Sequence, residues 1–125
     1  MKIKPTDSEL QVLQILWRDG PSTVRHINDV LNLEKRVGYT TTLKIMQIMN
    51  EKFLLKREKN GRNHVYLAAV KKEETQKILL DRFLNSTFSG SAGKLVMQAL
   101  GNHKSSKEEL EKIKDLITKI EGETK

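Results

Sequence analysis

The sequence contains no cysteine among its 125 residues, and this absence excludes several classes of protein at once. Disulfide frameworks, zinc fingers, thiolate metal sensors and thiol nucleophiles all require cysteine. Aromatic residues are also scarce, at 5% of the chain, and a hydrophobic fraction of 37% is enough only for a modest core. A chain of this length has room for one ordinary domain, or for a small domain with an association segment.

Long apolar runs and catalytic patterns are missing as well. No stretch approaches the roughly 18 residues that a membrane-spanning helix needs, and residues 1–5 are too short and polar for a signal peptide. We therefore expect a cytoplasmic protein without membrane insertion. The spacing suggests neither a Ser-His-Asp set nor a glycine-rich phosphate loop, and the three histidines lack partners at metal-ligand spacing. The sequence thus predicts no enzyme, no metal site and no cofactor.

Basic residues, in contrast, are abundant and unevenly placed. The net charge is +7, and eight of the 23 Lys and Arg residues fall within residues 35–64, where there are two glutamates. The phosphates of nucleic acid attract such a cluster. The alternative is a solvated surface whose charge maintains solubility. We favour DNA because the same stretch carries an independent fold signal.

That signal is a helix followed at once by a hairpin. Residues 39–52 have helical periodicity, and strand-like runs follow at 53–59 and 62–68. Asn60-Gly61 lies between the runs and predicts a type I′ turn, in which both central residues have positive φ. On a helical wheel, the polar side of the helix carries Thr40, Lys44, Gln47 and Glu51. The apolar side carries Thr42, Ile45, Met46, Met49 and Phe53.

Two further helices precede this unit. Thr6 and Glu9 form a capping box that opens a helix reaching about Arg18, in which Trp17 is expected to be a core residue. Ser22 is predicted to cap a second helix over residues 23–32. Close to the start of that helix, three side chains are positioned to donate to a phosphate: Ser22, Thr23 and Arg25. Three helices and a β-hairpin form a winged helix-turn-helix, whose third helix enters the major groove.

From residue 71 onward the pattern contains helices without strands. Residues 73–88, residues 94–100 and a final helix capped by Ser106 are amphipathic, and three such helices bury their apolar faces poorly against each other. A second copy of the chain would cover these faces, and two-fold dimers suit DNA readers. The alternative is a monomer whose helices pack back onto the first domain. The predicted dimerisation residues are Leu79, Phe83, Leu95, Val96, Leu110, Ile113, Ile117 and Ile120.

Nearly the whole chain resembles the penicillinase-repressor family, the regulators of β-lactamase and methicillin-resistance operons. The resemblance rests on an ordered set of segments, namely residues 9–17 (ELQVLQILW), Gly20-Pro21, residues 39–43 (YTTTL), Asn60-Gly61-Arg62 with Tyr66, Phe83-Leu84 and residues 94–97 (KLVM). It implies a winged helix-turn-helix DNA-binding domain over residues 1–70 and a helical dimerisation domain over residues 71–125. It also implies a homodimer that represses transcription from a palindromic operator of double-stranded DNA.

The resemblance leaves the release of repression open. In the family, proteolysis at an Asn-Phe bond in the C-terminal helices inactivates the repressor, whereas this chain has Gln98-Ala99 at the corresponding place. The inducing partner is therefore either a regulatory protease or a small molecule. The cysteine-rich tail of the copper-responsive branch is missing. Another class of function open to a winged helix is a protein-interaction module, but the polar third helix disfavours it.

The predicted DNA-binding residues divide by role. Those on the third helix that face the major groove are Thr40, Thr41, Lys44 and Gln47, and those near a phosphate at its start are Tyr39 and Thr40. The backbone is held from the wing by Arg57, Lys59 and Arg62, and from the connector before the third helix by Lys35 and Arg36.

Overall fold

The computed structural model describes residues 4–123 and has six helices and one antiparallel hairpin in that range. Along the chain the elements are α1 Asp7–Asp19, α2 Val24–Leu31, α3 Tyr39–Glu51, β1 Leu55–Asn60, β2 Asn63–Ala68, α4 Lys72–Phe88, α5 Ala92–Asn102 and α6 Lys107–Glu123. Three helices followed by a hairpin form a winged helix, and three further helices follow within the described residues, so the predicted fold class is confirmed. The chain divides into two compact units, one up to Leu80 and one from Asp81.

Helix α1 begins as its sequence predicts. Oγ1 of Thr6 accepts the backbone N–H of Glu9 at 3.2 Å, and Oε1 of Glu9 accepts the backbone N–H of Thr6 at 2.9 Å. These two bonds complete the capping box. Trp17 is half-buried against the core, and its indole N–H donates to the carbonyl of Val70 at 3.0 Å. The polar side of the helix, which carries Gln11, Gln14 and Arg18, is exposed.

The start of helix α2 differs from its prediction. Thr23 and not Ser22 is the N-cap, since Oγ1 of Thr23 accepts the backbone N–H of His26 at 3.1 Å. Ser22 is buried, and its backbone exchanges hydrogen bonds of 3.0 and 2.8 Å with Tyr66 in β2. The cap falls one residue later because this extended pairing with the hairpin occupies Ser22. A role for Ser22 as the cap is therefore wrong.

Helix α3 contacts the core through three fully buried side chains, Thr42, Met46 and Met49. The prediction that Phe53 shares this apolar side is wrong, because its side chain is 79% exposed and its φ is 64°. The helix has already ended at Glu51, and the backbone turns at Phe53 through the left-handed region. Leu54 and Leu55 enter the core in its place.

The hairpin turn also lies one residue away from its predicted position. Asn60 pairs with Asn63, so the two-residue loop is Gly61-Arg62 and not Asn60-Gly61. Gly61 has a φ of 66°, whereas Arg62 has no positive φ. Positive φ at the first loop position alone is typical of a type II′ turn, which favours glycine there because glycine has no Cβ.

The core of the first unit lies between the three helices and the base of the hairpin. Its buried apolar residues are Val12, Leu13, Ile15, Leu16, Val24, Ile27, Met46, Met49, Leu54, Leu55 and Tyr66. Within the strands only Leu55 and Tyr66 belong to this cluster, and every residue from 56 to 64 is exposed. The outer part of the hairpin therefore projects from the core as a wing.

The second unit contains the end of α4 together with α5 and α6. Ser89 and Gly90, with φ of 51° and 80°, follow the end of α4. Helix α5 starts two residues earlier and ends two residues later than predicted, and α6 begins at a capping box in which Oγ of Ser106 accepts the N–H of Glu109 at 3.0 Å. Among the described residues of this unit, no two helices form an extensive packing contact. Their apolar faces are therefore left uncovered by one another.

Candidate nucleic-acid interface

The predicted base-contacting residues all lie on the solvent side of α3. The side chains of Thr40, Thr41, Lys44 and Gln47 are exposed, opposite the side that packs into the core. Tyr39, the first residue of the helix, is 42% exposed. Hydroxyl, ammonium and amide groups along one helix face can form hydrogen bonds with base edges in a major groove. The predicted set thus shares one accessible surface.

The start of α3 is held by Asn28, an asparagine that is not among the predicted site residues. Nδ2 of Asn28 in α2 donates to Oγ1 of Thr42 at 2.8 Å and to the carbonyl of Val37 at 3.1 Å. Asn28 is half-buried and Thr42 is fully buried. Hydrogen bonds with little access to water fix geometry well because breaking them leaves polar groups unsatisfied. Asn28 therefore sets the position of α3 relative to α2.

A second asparagine holds the connector. Nδ2 of Asn32 donates to the carbonyl of Val37 at 2.9 Å, and its Oδ1 accepts the N–H of Val37 at 3.1 Å. Asn28 and Asn32 are four residues apart, which places them on one side of a helix end. That spacing was the available sequence signal, but the sequence does not reveal that both side chains meet at Val37.

The register of the hairpin separates the charges of the wing by face. Arg57 lies opposite Tyr66 and Lys59 lies opposite His64, whereas Lys56 and Glu58 alternate with them. Because successive residues of a strand point to opposite sides, Arg57 and Lys59 share the face of the buried Tyr66. Glu58 lies on the other face, so its charge does not neutralise Arg57 or Lys59. Two of the three predicted wing cations are therefore brought together, and the third, Arg62, lies at the tip.

Lys52, one of the eight basic residues within residues 35–64, has its charge neutralised by a carboxylate. Nζ of Lys52, the C-cap of α3, is 2.9 and 3.0 Å from the two carboxylate oxygens of Glu9. Burial alone would raise the pKa of Glu9. Four other contributions together lower that pKa: the hydrogen bond from Lys52, the backbone N–H of Thr6, the charge of Lys52 and the hydroxyl of Thr6. Glu9 is therefore ionised, and it neutralises Lys52.

The remaining predicted cations keep their charge unpaired. Lys35 and Arg36 are exposed in the connector before α3. Within residues 4–123, no carboxylate lies within ion-pair distance of either residue or of Lys44, Arg57, Lys59 and Arg62. Unpaired exposed cations on the third helix, the connector and the wing provide the positive potential that phosphates require.

A different arrangement exists at the end of α1. The guanidinium of Arg18 donates to both carboxylate oxygens of Asp19, at 2.7 and 2.9 Å, and Nε2 of His26 lies 2.8 Å from Oδ2 of the same carboxylate. The hydrogen bonds from Arg18 and His26 hold the pKa of Asp19 well below its usual range. Arg18 is thus exposed but neutralised in place.

The predicted dimerisation residues are accessible on the C-terminal helices. Leu79, Leu95 and Ile113 are half-buried, whereas more than a third of the surface is exposed in Phe83, Val96, Leu110, Ile117 and Ile120. The four residues on α6 follow at intervals of three, four and three, which places them on one face of that helix. The ring of Phe83 contacts that of Phe88 edge to face, with centroids 5.6 Å apart.

Residues 4–123 contain no group of three His, Asp or Glu side chains arranged to hold a metal ion. None of the helices in that range is sufficiently long and apolar to cross a bilayer.

Comparison with known proteins extends these observations. The family model described as penicillinase repressor matches residues 5–119. The penicillinase repressor of Staphylococcus aureus is 22% identical over 113 residues, which cover 90% of each chain. The transcriptional regulator BlaI of Mycobacterium tuberculosis is 29% identical over 87 residues, which cover 68% of this chain and 63% of its own.

A solved structure supports the fold independently. The crystal structure of a transcriptional regulator from Thermotoga maritima superimposes with a TM-score of 0.54 at 19% identity, covering 94% of this chain and 74% of that one. With the family match spanning most of the sequence, the chain belongs to the penicillinase repressor family, a family of DNA-binding transcriptional repressors and not of enzymes.

Proposed function

We propose that this chain is a homodimeric repressor that binds a palindromic operator sequence-specifically. The observation that carries the proposal is the solvent side of α3, where Thr40, Thr41, Lys44 and Gln47 form a polar surface without a partner inside residues 4–123. A protein-docking winged helix would instead present apolar side chains on this surface. As a repressor of transcription the protein would act in the cytoplasm.

Base reading is assigned to the middle of the helix. Lys44 and Gln47 are close to one turn apart on the exposed side, and their ammonium and amide groups suit acceptors and mixed donor-acceptor edges in the major groove. Thr40 and Thr41 lie nearer the start of the helix, where hydroxyls can contact bases or phosphates. Substitution of a base-contacting residue should therefore change sequence preference as well as affinity.

Backbone contacts are assigned to the wing and the connector. Arg57 and Lys59 share one strand face, Arg62 lies at the turn, and Lys35 and Arg36 precede α3. Contacts to phosphates position a protein but carry little sequence information. These residues should contribute similarly to binding of all sequences, and their contribution should weaken as salt increases.

Dimerisation is assigned to residues 71–125, and DNA binding to residues 1–70. The exposed face of α6, with Leu110, Ile113, Ile117 and Ile120, supports the first assignment because an apolar stripe of this length is usually covered in a soluble protein. Two-fold symmetry would present two copies of α3 to successive major grooves, roughly one helical turn apart or a multiple of it.

The proposal is tested by selecting DNA from a pool of duplexes with a randomised centre, using the full chain. We expect the selected duplexes to converge on two inverted half-sites with fixed spacing. The control is the double variant Lys44→Ala with Gln47→Ala, which should select without convergence. Selection of a single, non-repeated site would contradict the dimer, and no convergence with the wild-type chain would contradict sequence-specific recognition.

A further inference from the structure

Arg25 and Tyr39 bring the beginnings of two helices together. Arg25 is the second residue of α2, and Tyr39 is the first residue of α3. The guanidinium carbon of Arg25 lies over the ring of Tyr39, 5.3 Å from its centroid. This distance is within the range of about 6 Å over which a cation is attracted to an aromatic face. The contact thus links α2 to Tyr39, the first residue on the solvent side of α3.

The charge of Arg25 has no other partner in the described chain. The side chain is exposed, and although Asp29 follows it by one helical turn, no carboxylate among residues 4–123 lies within ion-pair distance. No N–H of its guanidinium donates to an atom in that range. In Arg18, by comparison, two of these groups are bound to Asp19. Arg25 therefore keeps both its charge and its donors.

An aromatic ring holds a guanidinium without using its N–H groups. The ring attracts the cation through its π face, whereas a carboxylate would both neutralise the charge and occupy the donors. The donors left over match the oxygens of a phosphate, which a guanidinium can bind in a bidentate way. A side chain held in this manner before binding also loses less conformational entropy on contact with DNA.

We propose that Arg25 binds a phosphate of the DNA backbone, and that the ring of Tyr39 is the platform that holds its guanidinium in place. This inference rests on the proposed function and deepens it, because it selects Arg25 from the three predicted phosphate donors and assigns the ring that holds it. Arg25 touches the DNA, whereas Tyr39 acts through Arg25 as a positioning residue. Because the two residues come from different helices, the phosphate contact also constrains the orientation of both α2 and α3 on the DNA.

The first test measures binding of a duplex of random sequence across a salt series, since a phosphate contact is independent of sequence. With the substitution Arg25→Ala, the plot of log affinity against log salt should become shallower by about 0.9 per protomer, or about 1.8 for a dimer. Between about 50 and 200 mM salt, the advantage of the wild-type dimer should then fall about twelvefold. Arg18→Ala is the matched control, and its salt dependence should equal that of the wild-type chain.

The second test concerns the platform. Tyr39→Phe keeps the aromatic ring, so the cost of Arg25→Ala in affinity should remain as large as in the wild-type background. Tyr39→Leu removes the ring, and Arg25→Ala should then cause a smaller fold-loss. An equal loss in the Leu and wild-type backgrounds would overturn the role of Tyr39. A purely structural contact would lower the melting temperature but leave the salt dependence unchanged.

The outcomes separate this inference from the proposed function. If the wild-type chain binds the random duplex and Arg25→Ala has the same salt dependence, the phosphate contact is overturned while the repressor function stands. If the wild-type chain binds neither the random duplex nor any selected duplex, both proposals are overturned.

Discussion

Replacing Lys52 by methionine tests how the end of α3 is attached to α1. Lys52 is the C-cap of α3, and its ammonium contacts both oxygens of the Glu9 carboxylate at 2.9 and 3.0 Å. Glu9 is 4% exposed. Methionine keeps most of the aliphatic chain but removes the charge. The carboxylate then remains buried, and the backbone N–H of Thr6 still donates to it.

The magnitude follows from the burial of the two partners. Removal of one partner from a fully buried ion pair costs about 3–5 kcal/mol of unfolding free energy, because the remaining charge is uncompensated. The side chain of Lys52 is 33% exposed, so water can approach the site after the substitution. We therefore expect a loss of about 1–3 kcal/mol, comparable with one charged hydrogen bond. A domain of 60–100 residues loses about 4–8 °C in melting temperature per kcal/mol.

The pH dependence gives a second signature. The pKa of Glu9 is lower in the folded chain than its ordinary value. Its pairing therefore stabilises the fold fully above the pKa of the unfolded chain, and this contribution is lost as pH falls through the folded pKa. Without Lys52, burial opposes ionisation with less compensation. The acid-induced loss of stability should accordingly be smaller in Lys52→Met than in the wild-type chain.

Thermal and urea unfolding of the two proteins, followed by circular dichroism at neutral and acidic pH, measures both effects. The matched control is Lys56→Met, since Lys56 is exposed in β1 and has no carboxylate partner in residues 4–123. Lys56→Met should stay within about 0.5 kcal/mol of the wild-type chain. Equal stability of the two variants would refute the assignment of the Glu9 pair as a stabilising contact.

Three further predictions concern the division of DNA contacts, the dimer interface and the packing of α1. Lys44→Ala should cost about 1–3 kcal/mol of binding free energy on a selected duplex and relax the sequence preference of the protein. Arg62→Ala should instead weaken binding to selected and random duplexes equally. Equal losses on the two duplexes in both variants would contradict the division of roles. Ile117→Asp should shift sedimentation from dimer to monomer while Thr118→Asp does not, and a dimeric Ile117→Asp would locate the interface elsewhere. Trp17→Phe should lower stability by about 0.5–1.5 kcal/mol through loss of the 3.0 Å bond to Val70, and an unchanged melting temperature would argue against that bond.

The sequence predicted the features that depend on local pattern. The capping box at Thr6 and the periodicity of residues 39–52 are short-range signals, and α1 and α3 begin where those signals predict. The order of helices and strands then followed, because few arrangements bury three amphipathic helices against one hairpin. The exposure of Lys44 and Gln47 is a consequence of the same periodicity.

The features it missed depend on partners distant in the chain. Ser22 and Thr23 are both good N-caps, and only the pairing of Ser22 with Tyr66 decides between them. The turn at Gly61 depends on the pairing of Asn60 with Asn63, which a sequence pattern fixes only to within a residue. In the sequence, Lys52 is one of eight basic residues within residues 35–64. Only its contact with Glu9, 43 positions away, shows that its charge is neutralised.

Sequence-specific repression by a dimer is best tested by binding to the DNA upstream of the protein's own gene, compared with a shuffled duplex of the same length and composition. Affinity is measured across a salt series, and stoichiometry by sedimentation of the labelled complex. We expect tighter binding of the upstream duplex, affinity that falls with salt on both duplexes, and two protomers per site. Equal and weak binding of both duplexes, together with failure to select any site from the randomised pool, would contradict sequence-specific repression.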